Sequence, residues 1–274
     1  METASNVAVA RRAYTAGENA STAALIDRWI YVIMAGLLIL TALAGFVPDS
    51  LAKIGAINMG QRAPFPPVLH VHAALMGSWL ILLFAQTWLM ATGRSVSHRK
   101  LGMVSLVLMP AIVATGFILI PTMRQQLWHA AQSAPPAIAA QLQEVLAFTA
   151  NILMFQIRVG ILFPLLIVIA LLMRRTDPGT HKRLMILAAV LPLPAAIDRM
   201  SWLPSTLPGS PASVDLYMFL WAAPMFCWDL FRSGRVHRAY LLWFGANVPF
   251  IAFTNVAWGS AWWAAMVPKI VGVG

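Results

Sequence analysis

Long apolar runs, each near the roughly 20 residues that cross a bilayer core, alternate along this chain with short polar breaks. They predict seven membrane-spanning helices, at about 26–47, 68–91, 101–121, 145–173, 184–203, 214–231 and 239–258. Residues 1–25 read as a polar amino-terminal segment with Arg11 and Arg12, where Ser21 and Thr22 offer caps for the helix that enters the membrane. With no apolar core close behind the start, the first span reads as an uncleaved signal anchor. The 48–67 stretch predicts a loop ending in the rigid Pro64-Phe65-Pro66-Pro67 lead-in, and 122–144 a loop flanked by short amphipathic interfacial helices. Pro164 supplies a kink in the long fourth span, and Pro192 and Pro194 interrupt the fifth. Trp258, Trp262 and Trp263 fall where an aromatic belt sits, before a tail over 267–274.

Composition supports an all-α, polytopic membrane fold. Hydrophobic residues are 60% of the 274 and charged ones only 10%, against roughly 25% charged in a soluble domain. Only helices satisfy every backbone group within one segment in lipid, so open sheets are excluded. The net charge of +10 sits in short loops between apolar runs rather than in one patch, which argues for anionic lipid and against nucleic acid. Counting Lys and Arg places 13 on one side and 5 on the other, with Arg158 inside a span. The positive-inside rule then puts the amino terminus in the cytoplasm and, after seven spans, the carboxyl terminus outside. Cys227 is the lone cysteine, which rules out an internal disulfide or a cysteine cluster.

Basic corners punctuate the runs. Ser97-His98-Arg99-Lys100-Leu101-Gly102 has counterparts in Thr180-His181-Lys182-Arg183-Leu184-Met185 and, more loosely, Val236-His237-Arg238-Ala239-Tyr240. Each follows one apolar run and opens the next, as either a diverged two-helix repeat or a recurrent basic turn. At these residues the chain resembles a set of uncharacterised bacterial multi-pass membrane proteins with His-Arg-Arg-Leu-Gly and His-Lys-Arg-Leu-Met corners, matched by His98–Gly102 and His181–Met185. Their later Asp and Arg-Val-His-Pro-Ala-Tyr are matched by Asp229 and Arg235–Tyr240, with Arg238 in place of the proline. The resemblance covers roughly residues 68–245 and implies a bacterial inner-membrane location but no activity. More distantly the chain looks like b-type transmembrane cytochromes, which also use histidines at helix ends.

Two sets of polar residues carry candidate chemistry. On the basic side, His98, His181 and His237 lie at helix amino termini, where backbone N–H groups and the dipole favour an anion such as a lipid or polyprenyl phosphate. A metal is disfavoured there, because a cation opposes those dipoles. The bland reading makes them interfacial residues that serve topology. On the other side, His72, Trp79 and Gln86 recur every seven residues and share one stripe of the second span. His72 suits a haem ligand, a quinone hydrogen-bond donor or a proton carrier, or else satisfies a neighbouring backbone. Arg158 is an intramembrane charge, with Asp198 as its expected partner and Asp215 as second choice.

Three functional readings follow. The first is a redox protein using haem b or quinone, with His72, His98, His181 and Arg158 as cofactor residues. The second is a membrane enzyme or binder for an isoprenoid or lipid, with His72 and Asp198 as acid and base and Arg158 orienting an anionic group. The favoured site lies in the outer half of the membrane, while on the inner side His98 and His181 could pair at the membrane edge. The third is a non-enzymatic subunit that packs against a membrane partner or its own copy through small residues such as Ala73, Ala74 and Gly77.

Overall fold

The computed structural model describes the backbone of residues 2–272 and side chains from residue 21 onward; Arg11 and Arg12 therefore lie outside the described side chains. The described residues form ten helices and no strand. They are α1 (Glu2–Asn58), α2 (Pro67–Ala91), α3 (Ser95–Gly102), α4 (Ser105–Ser133), α5 (Pro136–Met173), α6 (Pro178–Val190), α7 (Pro194–Ile197), α8 (Ala212–Ser233), α9 (Arg238–Ala257) and α10 (Ala261–Val271). Seven helical segments are long and apolar enough to cross a membrane, with α3 and α4 together forming one and α6 and α7 another.

The helices outrun several expected boundaries. α1 runs through Ser21 and Thr22, which lie inside the helix rather than at its start, and continues to Asn58. The segment 122–144 is not a loop with separate interfacial helices: α4 extends to Ser133, and only two residues precede α5. Hydropathy falls beyond the bilayer, but Gln, Met, Ala and Leu are good helix formers, so nothing stops the helix there. Pro135-Pro136 does, because the residue before a proline is pushed out of the α region.

At the centre lies the least ordinary span. α6 and α7 have the largest buried share of the seven, 67%, and residues from Ile186 to Leu191 are almost wholly covered. Asp177 caps α6, accepting from Thr180 N–H at 3.0 Å. The Thr180 hydroxyl and this N–H, with Arg238 beside them, hold its carboxyl down at about 2, so it is ionised at neutral pH. Pro192 and Pro194 cannot donate, and the chain passes them in tight turns, with Leu193 N–H reaching Val190 C=O at 3.1 Å. Broken backbone is tolerable at membrane depth where protein, not lipid, surrounds it. α1, α2, α5, α8 and α9 supply that surround.

The α1 approach to this break depends on Gly45. A Cβ there would sit 2.0 Å from the Ala196 carbonyl oxygen and 2.6 Å from its carbon. The obstacle is backbone, which cannot rotate away. Gly45→Ala should therefore destabilise the bundle by about 3 kcal/mol or more, the upper part of the range for overpacking. Gly55→Ala, whose Cβ would meet nothing within 4 Å, is the control. Thermal unfolding in detergent should show a marked loss for the first and little change for the second.

Candidate functional site

The corners align on one face of the bundle, called here the basic face. α1 joins it through Arg28, which donates to the Ala91 carbonyl at 2.5 Å, and through Asp27, which pairs with Arg232 at 2.8 Å. Between α1, α6 and α8 this face opens into a cleft of about 370 Å³. Its walls are basic: Lys182 and Arg183 from the start of α6, Arg232 from the end of α8, and Arg235 and His237 from the following turn.

Two carboxylates hold this wall in place. Arg183 grips Asp229 with both arms of its guanidinium, at 2.7 and 2.6 Å, and Tyr240 donates its hydroxyl to the same carboxylate. Bidentate geometry of this kind fixes direction as well as charge. Asp27 accepts from Trp228 Nε1 at 2.8 Å and from the Arg232 fork. Lys182 and Arg235 form no salt bridge among the described residues; the Lys182 ammonium rests 4.7 Å from the centre of the Tyr31 ring. His237 caps α9, its Nδ1 accepting from Ala239 N–H at 3.2 Å. Burial and the Arg183 guanidinium lower its basicity below the usual histidine range, so the ring is neutral near pH 7 and carries its proton on Nε2.

The other two corner histidines have a shared geometry. His98 and His181 each occupy the fourth position of a helix, in α3 and α6. Each turns its Nδ1 back to a carbonyl near the end of an earlier helix, His98 to Gln86 at 3.3 Å and His181 to Ala170 at 2.8 Å. A carbonyl only accepts, so Nδ1 carries the proton and Nε2 keeps a lone pair. The two rings are close enough for the charge of one to act on the other. Beside them the Gln86 carboxamide is buried with neither of its polar atoms bonded. The third corner differs: His237 uses Nδ1 as an acceptor within its own turn.

The far half of the membrane does not assemble as expected. Arg158, 1% exposed, pairs at 2.5 Å with Asp215 in the first turn of α8, not with Asp198. Depth explains this. Asp215 enters the membrane with α8, and the amino-terminal dipole of that helix favours its charge, whereas Asp198 follows the broken α7 and stays at the surface. There Asp198 lines a cavity of about 20 Å³ with Ser205, Ser213 and Tyr217, space for about one water. Apolar cover raises its pKa, with Arg199 opposing. His72 packs elsewhere, its Nδ1 2.9 Å from Thr115 Oγ1, while that hydroxyl donates to the Ala111 carbonyl. The stripe of His72, Trp79 and Gln86 does face the bundle, with Trp79 2% and Gln86 9% exposed. No hydrogen bond or ion pair joins His72, Arg158 and Asp198, whose partners are Thr115 for the first and Asp215 for the second.

Asp27 was not singled out by sequence, and Asp229 entered only through the resemblance of the corners. Asp229 lies two turns before a basic corner at the end of an apolar run and Asp27 beside Arg28 at the start of one, which was the available signal. No group of three or more His, Cys, Asp or Glu side chains that could hold a metal ion occurs among the described residues. No protein-family profile matches the chain, and neither a curated protein nor a solved structure matches it.

The Arg158–Asp215 pair gives a direct prediction. Breaking a buried pair leaves an uncompensated charge and costs about 3–5 kcal/mol. Arg158→Leu and Asp215→Asn should each destabilise on that scale, and the double variant should recover a large part of the loss. Asp198→Asn should instead be neutral or mildly stabilising at pH 7. Its raised pKa makes ionisation a cost that is absent at low pH and grows as pH rises from the unfolded value of 3.8 towards the folded one. Unfolding of the four variants across pH would check both statements.

Proposed function

We propose that this is a bacterial inner-membrane protein, with its amino terminus and basic face in the cytoplasm, that holds the anionic headgroup of an amphiphile in the cleft between α1, α6 and α8. The side assignment rests on the asymmetry of Lys and Arg, and the bacterial location on the likeness of the corners to the bacterial family. One observation carries the binding reading: the cleft retains two cations, Lys182 and Arg235, that no carboxylate has claimed, while its other charges are fixed in pairs. A phosphate or carboxylate at the membrane surface fits that surplus, and its apolar tail would lie along the bundle in lipid. Isoprenyl phosphates and anionic phospholipids share this chemistry.

Nanodiscs that contain phosphatidylglycerol, or phosphatidylcholine alone, separate specific retention from bulk lipid. Native mass spectrometry should find phosphatidylglycerol retained by the wild type. Lys182→Gln with Arg235→Gln should weaken retention about tenfold, near 1.4 kcal/mol, without loss of fold, because neither residue holds the cleft together. Equal retention by variant and wild type would remove the cleft from the argument.

The paired corners favour a second reading. Histidines that bind haem iron use one nitrogen for the metal while the other donates to a carbonyl or carboxylate. His98 and His181 have this donor set, each with Nδ1 engaged and Nε2 open. Haem b would add one-electron redox chemistry, with these two residues orienting the ring at the basic face. Protein expressed with ample haem should then show a Soret band that sharpens on dithionite reduction and disappears in His98→Ala and His181→Ala. A featureless spectrum would leave the amphiphile reading standing alone.

A further inference from the structure

Independently of either reading, the interior face of α9 carries an unusual sequence of polar groups. Tyr240, Trp243, Asn247 and Thr254 are all buried there, Asn247 and Thr254 at 0% and 1% exposure. Contacts at both ends fix α9 antiparallel to α5. Gly259 N–H donates to Asn151 Oδ1 at 3.1 Å, and Trp258 packs on Phe155. At the opposite end Arg238 reaches the Met173 sulfur. This register sets Thr254 level with Arg158 and Asn247 level with Pro164. The α9 face thus runs from one buried ion pair, Arg183–Asp229 with Tyr240, to the other, Arg158–Asp215.

Along this face and at the Arg158–Asp215 pair the protein leaves polar atoms unsatisfied. Asn247 Oδ1, Thr254 Oγ1, Arg158 Nε and Asp215 Oδ2 are buried without a hydrogen-bond partner. Thr254 is exceptional among the threonines within membrane helices: Thr41, Thr115 and Thr122 each donate back to the carbonyl four residues earlier. Pro164 adds an acceptor, since it has no N–H to offer the Gly160 carbonyl. Each buried orphan forfeits the hydrogen bond it would make with water, and lipid offers no remedy. Water does, because one molecule donates and accepts at once and is small enough to enter a packed seam.

We infer that internal water occupies the α5–α9 seam and makes it a proton path between the Asp229 and Asp215 ends of the bundle. Each hop forms one O–H bond and breaks another along the water chain, so a proton enters at one face and leaves at the other with no net chemistry. Asn247 and Thr254 are positioning residues, holding water at two levels about 10 Å apart, two turns of helix.

The test uses the full chain in liposomes that contain pyranine, with potassium and valinomycin clamping the voltage during an external acid pulse. Wild-type vesicles should acidify several-fold faster than protein-free ones. Asn247→Leu with Thr254→Val removes both water anchors while preserving shape, and should return the rate to the protein-free value. Circular dichroism melts establish that the variant is folded, and Thr254→Ser, which keeps the hydroxyl, should retain the fast rate. Wild-type vesicles no faster than protein-free ones, or a folded double variant as fast as wild type, would overturn the proposal.

Discussion

The bundle depends on enclosing a helix that lipid would reject. The α6–α7 span is broken at Pro192 and Pro194, where its hydrogen-bond ladder is interrupted, and exposed in hydrocarbon such backbone has no partner. Five other helices cover it, and the cover closes where Gly45 lets α1 touch the backbone of Ala196. This also explains why one of the less apolar spans is the most buried. Its surroundings are protein side chains, so the requirement for continuous hydrophobicity falls on its neighbours.

The charged groups divide along the same line. Those that penetrate the bundle are paired: Arg158 with Asp215, and Arg183 with Asp229. Such pairs are weak evidence of stability, because desolvation offsets much of their attraction. What they do is set positions. The Arg183 fork aligns α6 with α8 and, through Tyr240, with α9, leaving Lys182 and Arg235 free in the cleft those helices frame.

The spans were legible because twenty apolar residues in lipid allow essentially one structure. The polar ends were less so: residues 48–58 and 122–133 continue as helix, since loss of hydropathy ends a span without ending a helix. Arg158 stood out as a buried charge, but its partner depended on depth. Asp198 lies at the end of the fifth span, and the proline break lifts it to the surface, a displacement that spacing does not encode. The corner histidines were visible as a motif, yet the carbonyls they reach, 11 or 12 residues back, appear only once the hairpins fold. The cleft was illegible for a related reason, since it draws on residues about 200 positions apart.

That separation bears on biogenesis. The latch of Asp27 to Trp228 and Arg232 joins the first span to the sixth, so during synthesis α1 waits in the membrane with an exposed carboxylate until α8 has been inserted. Until then the cleft has no floor and Asp27 no partner. Closure of this latch requires the first and the sixth span to be in place together. A headgroup bound in the cleft would add its own charge to that closure.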